Sequence, residues 1–439
     1  MITYFREKYM LLKFELKGIT KNPLSLAKEL DKSQYWDRKE IENYQLNALN
    51  KLTIEAKKNV KYYQKEEYKN INSFFCLNDY SKNIPILEKN NIKESAKSLI
   101  NTTNKNGFEH ATSGSTGQPM KIRVYKLAEA YRVASKMRFY KWWGVNMFDR
   151  NVLIWKKSKY KKGVFHKLKM LELKLLGRLE LSVFDLNDET VYNYFKKIDN
   201  FKPKYIRGYK SGIFELARLM DKHNLQFKKS QLKVVVVTSE ILFEHERNFM
   251  ERVLKCSVAN EYGGADGGLY ANECPKGSLH INEESVYISS DTDENAYVTE
   301  IFNKAMPLMN YKNEDRVVFS DNLCSCGRNL KVIEEVKGRS SDYILCPDGT
   351  KTNSLVLGAI FTKIEKKHTQ SIIQFRVIQK DYKLKVEIIP GRNFVKEFIK
   401  EIETSIFREI SKSLEIEFQL VQKIEPEKSG KLRFFIGHS

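Results

Sequence analysis

"KVVVVTSE", residues 233–240, is an unbroken apolar run closed by two hydroxyls and a carboxylate. A strand with one wet face alternates polar and apolar side chains. Four successive valines leave no polar face, the pattern of a strand covered on both sides, as in parallel sheets. Upstream, "NVLIW" at 151–155 and "KYIRGY" at 204–209 are runs of the same kind. Around them Val191, Phe195 and Ile198, then Ile213, Leu216, Ala217 and Met220, recur at helical spacing. Strand and helix in alternation predict an α/β sheet from residue 150 onward.

The flanks read differently. Ile41, Tyr44, Ala48, Leu49, Leu52 and Ala56 fall on one helical face, so residues 1–100 are expected to be mainly helical. Beyond Gly338, "IIQFRVIQ" (372–379), "KLKVEIIP" (383–390), a helix over about 393 to 412 and "EIEFQLVQ" (415–422) suggest a small α+β unit. The expected domains are 1–338 and 339–439, in keeping with a chain of 439 residues that exceeds the usual limit of one core.

Hydrophobic content of 41% against 30% charged residues describes an ordered globular protein. The net charge of +21 comes largely from scattered lysines, the densest run being "KKSKYKKG" at 156–163. A solvated lysine-rich surface accounts for it, and without an aromatic-rich motif no nucleic-acid partner is expected. No run reaches the length of a membrane span, and charges interrupt the N-terminal apolar residues too often for a signal peptide. A cytoplasmic protein, monomeric or homodimeric, with at most peripheral membrane contact is expected. Six cysteines in so long a chain are no disulfide framework. Cys76, Cys256 and Cys346 read as ordinary core or surface thiols.

Two clusters carry chemistry. "HATSGSTGQPMKI" (110–122) offers backbone N–H groups and hydroxyls suited to phosphate oxygens, yet it is neither a Walker A loop nor G-x-G-x-x-G. "ECPKGSLHI" (273–281) and "CSCGR" (324–328) supply Cys274, His280, Cys324 and Cys326, the donor set of a closed tetrahedral Zn²⁺ site. Unligated buried cysteines are the plain alternative, since the spacing is not that of a zinc finger.

"TSGSTGQP" resembles the phosphate loop of the adenylate-forming superfamily, and further motifs follow in that family's order: "NEYGGADGG" (260–268), "PLMNYKNEDR" (307–316), "GRSSDYI" (338–344) and "SGKLR" (429–433). The likeness is closest to the phenylacetate–coenzyme A ligase-like branch and its capsule-polysaccharide (CapK-like) subgroup. "YWDRKEIENYQLNAL", "PILEKNNIKE", "IRGYKSGIFELA" and "IIQFRVIQKDYKLKV" extend it over nearly the whole chain. The resemblance implies a large N-terminal adenylate-forming α/β domain with a small mobile C-terminal lid. It implies a ligase that uses ATP and Mg²⁺ to turn a small carboxylic or amino acid into an acyl-adenylate, then passes the acyl group to coenzyme A, an amine or a sugar.

By that resemblance Thr112, Ser113, Gly114, Ser115, Thr116 and Gly117 wrap the β- and γ-phosphates, with Lys121 as an extra cation. Tyr262 packs on adenine, Asp266 takes the magnesium, Asp315 accepts both ribose hydroxyls and Arg339 sits at the ribose and phosphate edge. Lys431 is the catalytic lysine and Asp342 the hinge, while Tyr209, Ser211, Ser239, Gly263 and Gly264 line the acid pocket. A structural zinc is implied at the Cys/His set. The branch usually reads Arg-Tyr-x-x-Gly-Asp where this chain has Asn310, Tyr311 and Glu314 before Asp315. That departure, with Asp266 in place of a glutamate, supports a competing expectation: a fold that has lost its chemistry and binds polyanions through its basic surface.

Overall fold

The computed structural model describes residues 2–19, 21–104, 107–111, 120–156, 164–339, 342–427 and 429–437. The chain forms two units, one of Met1–Asp149 with Ala259–Val336, the other of Arg150–Val258 with Lys337–Ser439.

In the first unit, helices Ile2–Leu16, Pro23–Ser33 and Arg38–Asn59 and two shorter ones bear out the helical start of the chain. Asp37 caps the third: its carboxylate accepts from the Glu40 N–H while the Glu40 side chain accepts from the Asp37 N–H. These helices bury Leu49, Leu52 and Ala56 with Tyr63, Tyr80 and Met309. Gly107–Ala111 and Lys121–Tyr125 form an antiparallel pair, with Ala111 opposite Lys121. Antiparallel strands follow: Gly268–Glu273 on Leu279–Ile281, that strand on Val332–Arg339, and Val286–Ser290 on Asn295–Glu300.

The second unit holds the parallel strands that the valine run predicts. Asn151–Trp155 pairs on one edge with Arg178–Ser182 and on the other with Tyr205–Tyr209, which pairs in turn with Val234–Thr238, all parallel. Each of Val234–Thr238 is buried. Helices Val164–Leu175, Val191–Phe201 and Lys210–Lys222 make the crossovers. The chain therefore steps outward from its first strand and then returns to that strand's other side. This puts a topological switch point between Asn151–Trp155 and Tyr205–Tyr209, the place where open α/β sheets bind ligands at their carboxyl ends.

The same unit contains the expected α+β segment. Strands Ile372–Lys380, Lys383–Pro390, Glu415–Leu420 and Phe435–Ile436 form one sheet with helices Leu355–Lys367 and Glu397–Glu409. Phe361 and Phe375 stack at 3.8 Å in its core. The last helix is shorter than the 393 to 412 read from sequence: it begins after the Gly391–Phe394 turn and ends where Ile410 leaves helical angles.

Candidate functional site

In the second unit, Tyr209 and Trp155 stand at the carboxyl ends of the two switch-point strands and stack at 3.8 Å. The Arg207 guanidinium lies 5.4 Å from the Trp155 ring, and Lys431 Nζ lies 5.9 Å from the Tyr209 ring. Sequence places Lys431 more than 200 residues after Tyr209; folding lays it against that side chain. The turn carrying it is closed by Gly430 N–H to Glu427 O (2.8 Å) and Glu427 N–H to Lys431 O (2.8 Å). A Cβ on Gly430 would sit 3.0 Å from Val183 and 3.4 Å from Tyr209, so the turn packs directly against these two side chains. Arg433 donates to Asp342 at 2.8 Å and ties the segment carrying Lys431 to Asp342. Arg339 ends the strand Val332–Arg339, and residues 340 and 341 of the expected hinge lie outside the described residues.

Ser211 opens the helix after Tyr209. Its N–H and hydroxyl donate to the two oxygens of Glu240, at 3.0 and 2.8 Å. Desolvation raises the Glu240 carboxyl to about 7, against the opposing pull of Lys210 and the Ser211 donors. Lys210 is buried and pairs with Glu246 at 2.6 Å. Exposed Ser239, next to Glu240, holds a left-handed φ of 72°, a conformation uncommon for a residue with a side chain. Glu240 is a residue the sequence reading passed over. Its place at the end of the valine run was the available clue, because carboxyl ends of buried strands are where ligands bind.

In the first unit, the Tyr262 hydroxyl donates to Asp315 Oδ2 at 2.8 Å, and Asn313 Nδ2 donates to the same oxygen at 3.3 Å and to the Tyr262 oxygen at 3.2 Å. The Tyr311 hydroxyl donates to Asp266 Oδ2 at 2.9 Å. Tyr262 and Asp266 from one motif and Asp315 from another thus form one polar cluster with Tyr311 and Asn313. Desolvation, reinforced by Asp315, pushes the Tyr262 phenol well above its usual range, which keeps it a donor. Tyr270 lies under the cluster, 1% exposed, and its hydroxyl has no hydrogen-bond partner. An orphaned buried donor beside two carboxylates suits a bound polar group. Gly264 permits the close packing: a Cβ there would lie 2.3 Å from Asp266 Oδ1. Gly263 sits at the bulge between Ser257–Gly264 and Gly268–Glu273. Lys121 is exposed at the start of the strand Lys121–Tyr125, opposite Ala111, and Thr112 to Gly117 lie outside the described residues.

The departures before Asp315 have a backbone explanation. Glu314 stands where the family pattern has glycine and holds a left-handed φ of 69°, with its carboxylate paired to Lys89 at 2.6 Å. Asn310, also left-handed at 49°, donates to Ile84 O at 2.8 Å and is buried, a structural tie where the pattern has an arginine.

The ligand atoms of Cys274, His280, Cys324 and Cys326 all lie within 4.8 Å of one another. Cys274 and Cys324 Sγ are 3.7 Å apart, and Cys326 Sγ is 3.3 Å from His280 Nε2. A tetrahedral zinc with Zn–S near 2.3 Å sets S···S at about 3.8 Å and S···N at about 3.5 Å, so the donors fit such an ion, whereas a disulfide needs about 2.05 Å. His280 Nδ1–H donates to Leu330 O at 3.0 Å, fixing the tautomer that leaves Nε2 for a metal. Burial lowers this imidazole to about 4, which keeps it neutral. Each cysteine-bearing turn is closed by a glycine three residues on: Gly277 N–H to Cys274 O at 2.8 Å, Gly327 N–H to Cys324 O at 3.2 Å. Both glycines hold φ near 80° in open space, so they are there for conformation and not for room.

Solved structures share this architecture. A 2-hydroxyisobutyryl-CoA ligase in the postadenylation state with 2-HIB-AMP superposes with a TM-score of 0.74 at 14% identity over 93% of each chain. An anthranilate CoA ligase, AuaEII, with anthranoyl-AMP matches 76% of this chain and 67% of its own with a TM-score of 0.51 at 14% identity. The fold is that of the adenylate-forming acyl-CoA ligases, as the motif order implies. Residues 344–438 match the CapK C-terminal domain family. Protein CapK of Staphylococcus aureus is 23% identical over 366 residues, which span 81% of this chain and 80% of that protein. The chain is thus similar to CapK in sequence and shares the fold of the adenylate-forming ligases. Among the described residues, no helix is long and apolar enough to cross a membrane.

Proposed function

We propose that the protein is an ATP-dependent acid-activating ligase that forms an acyl-adenylate and transfers the acyl or aminoacyl group to an acceptor in surface-polysaccharide assembly. The observation that carries this reading is Lys431 lying on Tyr209 at the carboxyl ends of the switch-point strands. A cation there stabilises the charge that builds on phosphate oxygens as the carboxylate attacks the α-phosphate. Asp315 accepts the ribose hydroxyls, Tyr262 packs on adenine, Thr112 to Gly117 hold the outer phosphates with Lys121 and Arg339 alongside, and Asp266 takes Mg²⁺. Cys274, His280, Cys324 and Cys326 hold a structural zinc whose four protein ligands leave it no open position for chemistry. Residues 339–439 act as the lid and turn about Asp342 between adenylation and transfer. The test is pyrophosphate exchange into ATP with a panel of small carboxylic and amino acids. Coenzyme A, amines and sugars are then offered to the enzyme carrying its adenylate. Exchange with no acid in the panel would count against the reading.

The competing reading, a polyanion-binding protein without chemistry, draws on the carboxylates of Asp266 and Asp315 already accepting from Tyr311 and Tyr262. Binding of that kind falls with salt at a log–log slope of about −0.9 per phosphate neutralised on duplex DNA. Acid-dependent exchange would exclude it.

A further inference from the structure

Helix Ile2–Leu16 is apolar on two opposite faces. Phe14, buried, and Met10 and Leu11, partly buried, pack inward on a cluster that includes Leu26, Leu30 and Ala134. At 3.6 residues per turn, Phe5, Tyr9, Leu12 and Leu16 fall in a stripe roughly 60° wide on the far side. They are 63, 38, 53 and 79% exposed. The helix has a covered face and an uncovered one, and the apolar stripe on the uncovered face contains no charged residue. Lys8 and Lys13 border the stripe on either side, each roughly 70° from its centre, and exposed Lys17 follows its end. Glu15 lies farther round, beyond Lys8.

We propose that this helix docks on an anionic bilayer surface, with Phe5, Tyr9, Leu12 and Leu16 entering the headgroup boundary and the flanking lysines meeting lipid phosphates. Apolar side chains bordered by lysines are a feature this stripe shares with interfacial helices, which bury such a face at the headgroup boundary. Charge selects the occupant: a second copy of a chain carrying +21 would be repelled, whereas an anionic surface is attracted. The contact lies outside both side-chain clusters assigned to ligase chemistry, so it stands or falls independently of that activity.

The test is co-sedimentation of the full chain with vesicles of phosphatidylcholine containing about one-third phosphatidylserine. The expected result is binding that weakens at least tenfold on pure phosphatidylcholine. Phe5→Ser/Leu16→Ser changes no charge, and each lost apolar side chain is worth about a tenfold change, so the partition coefficient falls roughly a hundredfold. Both side chains point outward, and the melting temperature should hold. If it does not, Leu12→Ser alone, about tenfold weaker, carries the same test. Undiminished binding by Phe5→Ser/Leu16→Ser overturns the proposal, because net charge alone would then explain the attraction. Failure of the parent to bind, or a parent dimer that the double variant dissociates, also overturns it.

Discussion

Cys324→Ser/Cys326→Ser should release zinc and lower the melting temperature of the unit that carries the site by roughly 10 °C. The magnitude follows from the geometry. Three donors come from two glycine-closed turns about 50 residues apart and the fourth, His280, from the strand Leu279–Ile281; two of their spacings fall within a few tenths of an ångström of a tetrahedral ion, and all four ligand atoms lie within 4.8 Å of one another. A preformed site of this kind binds the folded chain and not the unfolded one. At a free metal concentration a thousandfold above Kd, it stabilises by about 4 kcal/mol. A unit of somewhat over two hundred residues shifts by about 2 to 4 °C per kcal/mol. Elemental analysis of the purified parent should find one zinc per chain, and a strong chelator should reproduce the double variant's loss in a melt. Adenylation in the folded variant at low temperature should survive, because four protein ligands leave no catalytic position. A parent without zinc, or a double variant as heat-stable as the parent, would refute the reasoning.

Asp315→Ala should weaken ATP binding about a hundredfold by calorimetry, through loss of two charge-assisted hydrogen bonds; unchanged affinity would remove the ribose role. Glu240 has a folded carboxyl raised from 4.5 to about 7, so the native state holds the extra proton and stability falls as pH rises from about 4.5 to 7. With solvent screening, that fall amounts to about 1–2 kcal/mol. Glu240→Gln should abolish this part of the slope in denaturation followed between pH 5 and 8, and an identical slope would show that the carboxyl is not raised. Gly358→Ala, a change that in an open helix gains about 1 kcal/mol, should instead destabilise by about 1–3 kcal/mol. Its Cβ would fall 2.1 Å from the Phe243 ring. A raised midpoint in urea would contradict that packing.

Periodicity carried most of the architecture. The valine run, "NVLIW" and "KYIRGY" are parallel strands, and the segments after Gly338 form the expected α+β sheet, because burial on two faces writes itself into composition. Residue types also foreshadowed the four-ligand cluster, and the order of the motifs, by resemblance, the grouping of Tyr262, Asp266 and Asp315. Other features were not legible. Asn313 acts through hydrogen bonds to Asp315 and Tyr262 and no local pattern marks it, while Glu240 is marked only by its place at the end of the valine run. The left-handed backbone at Glu314 and Ser239 is hidden because sequence advertises such conformations through glycine, which neither position has. Asn310 looked like a lost arginine, but it is a buried tie to Ile84. The outer stripe of the first helix was readable as apolar, yet which of its faces meets the core is settled only by packing.

The account's central claim is that Lys431, held against Tyr209, serves the adenylation step. Lys431→Ala isolates it. Acid-dependent pyrophosphate release should fall by about 10² to 10³, the cost of deleting one group that stabilises developing charge. Pre-formed acyl-adenylate supplied to the same variant should be consumed by the acceptor at the parent's rate. A variant that releases pyrophosphate as fast as the parent would contradict the claim.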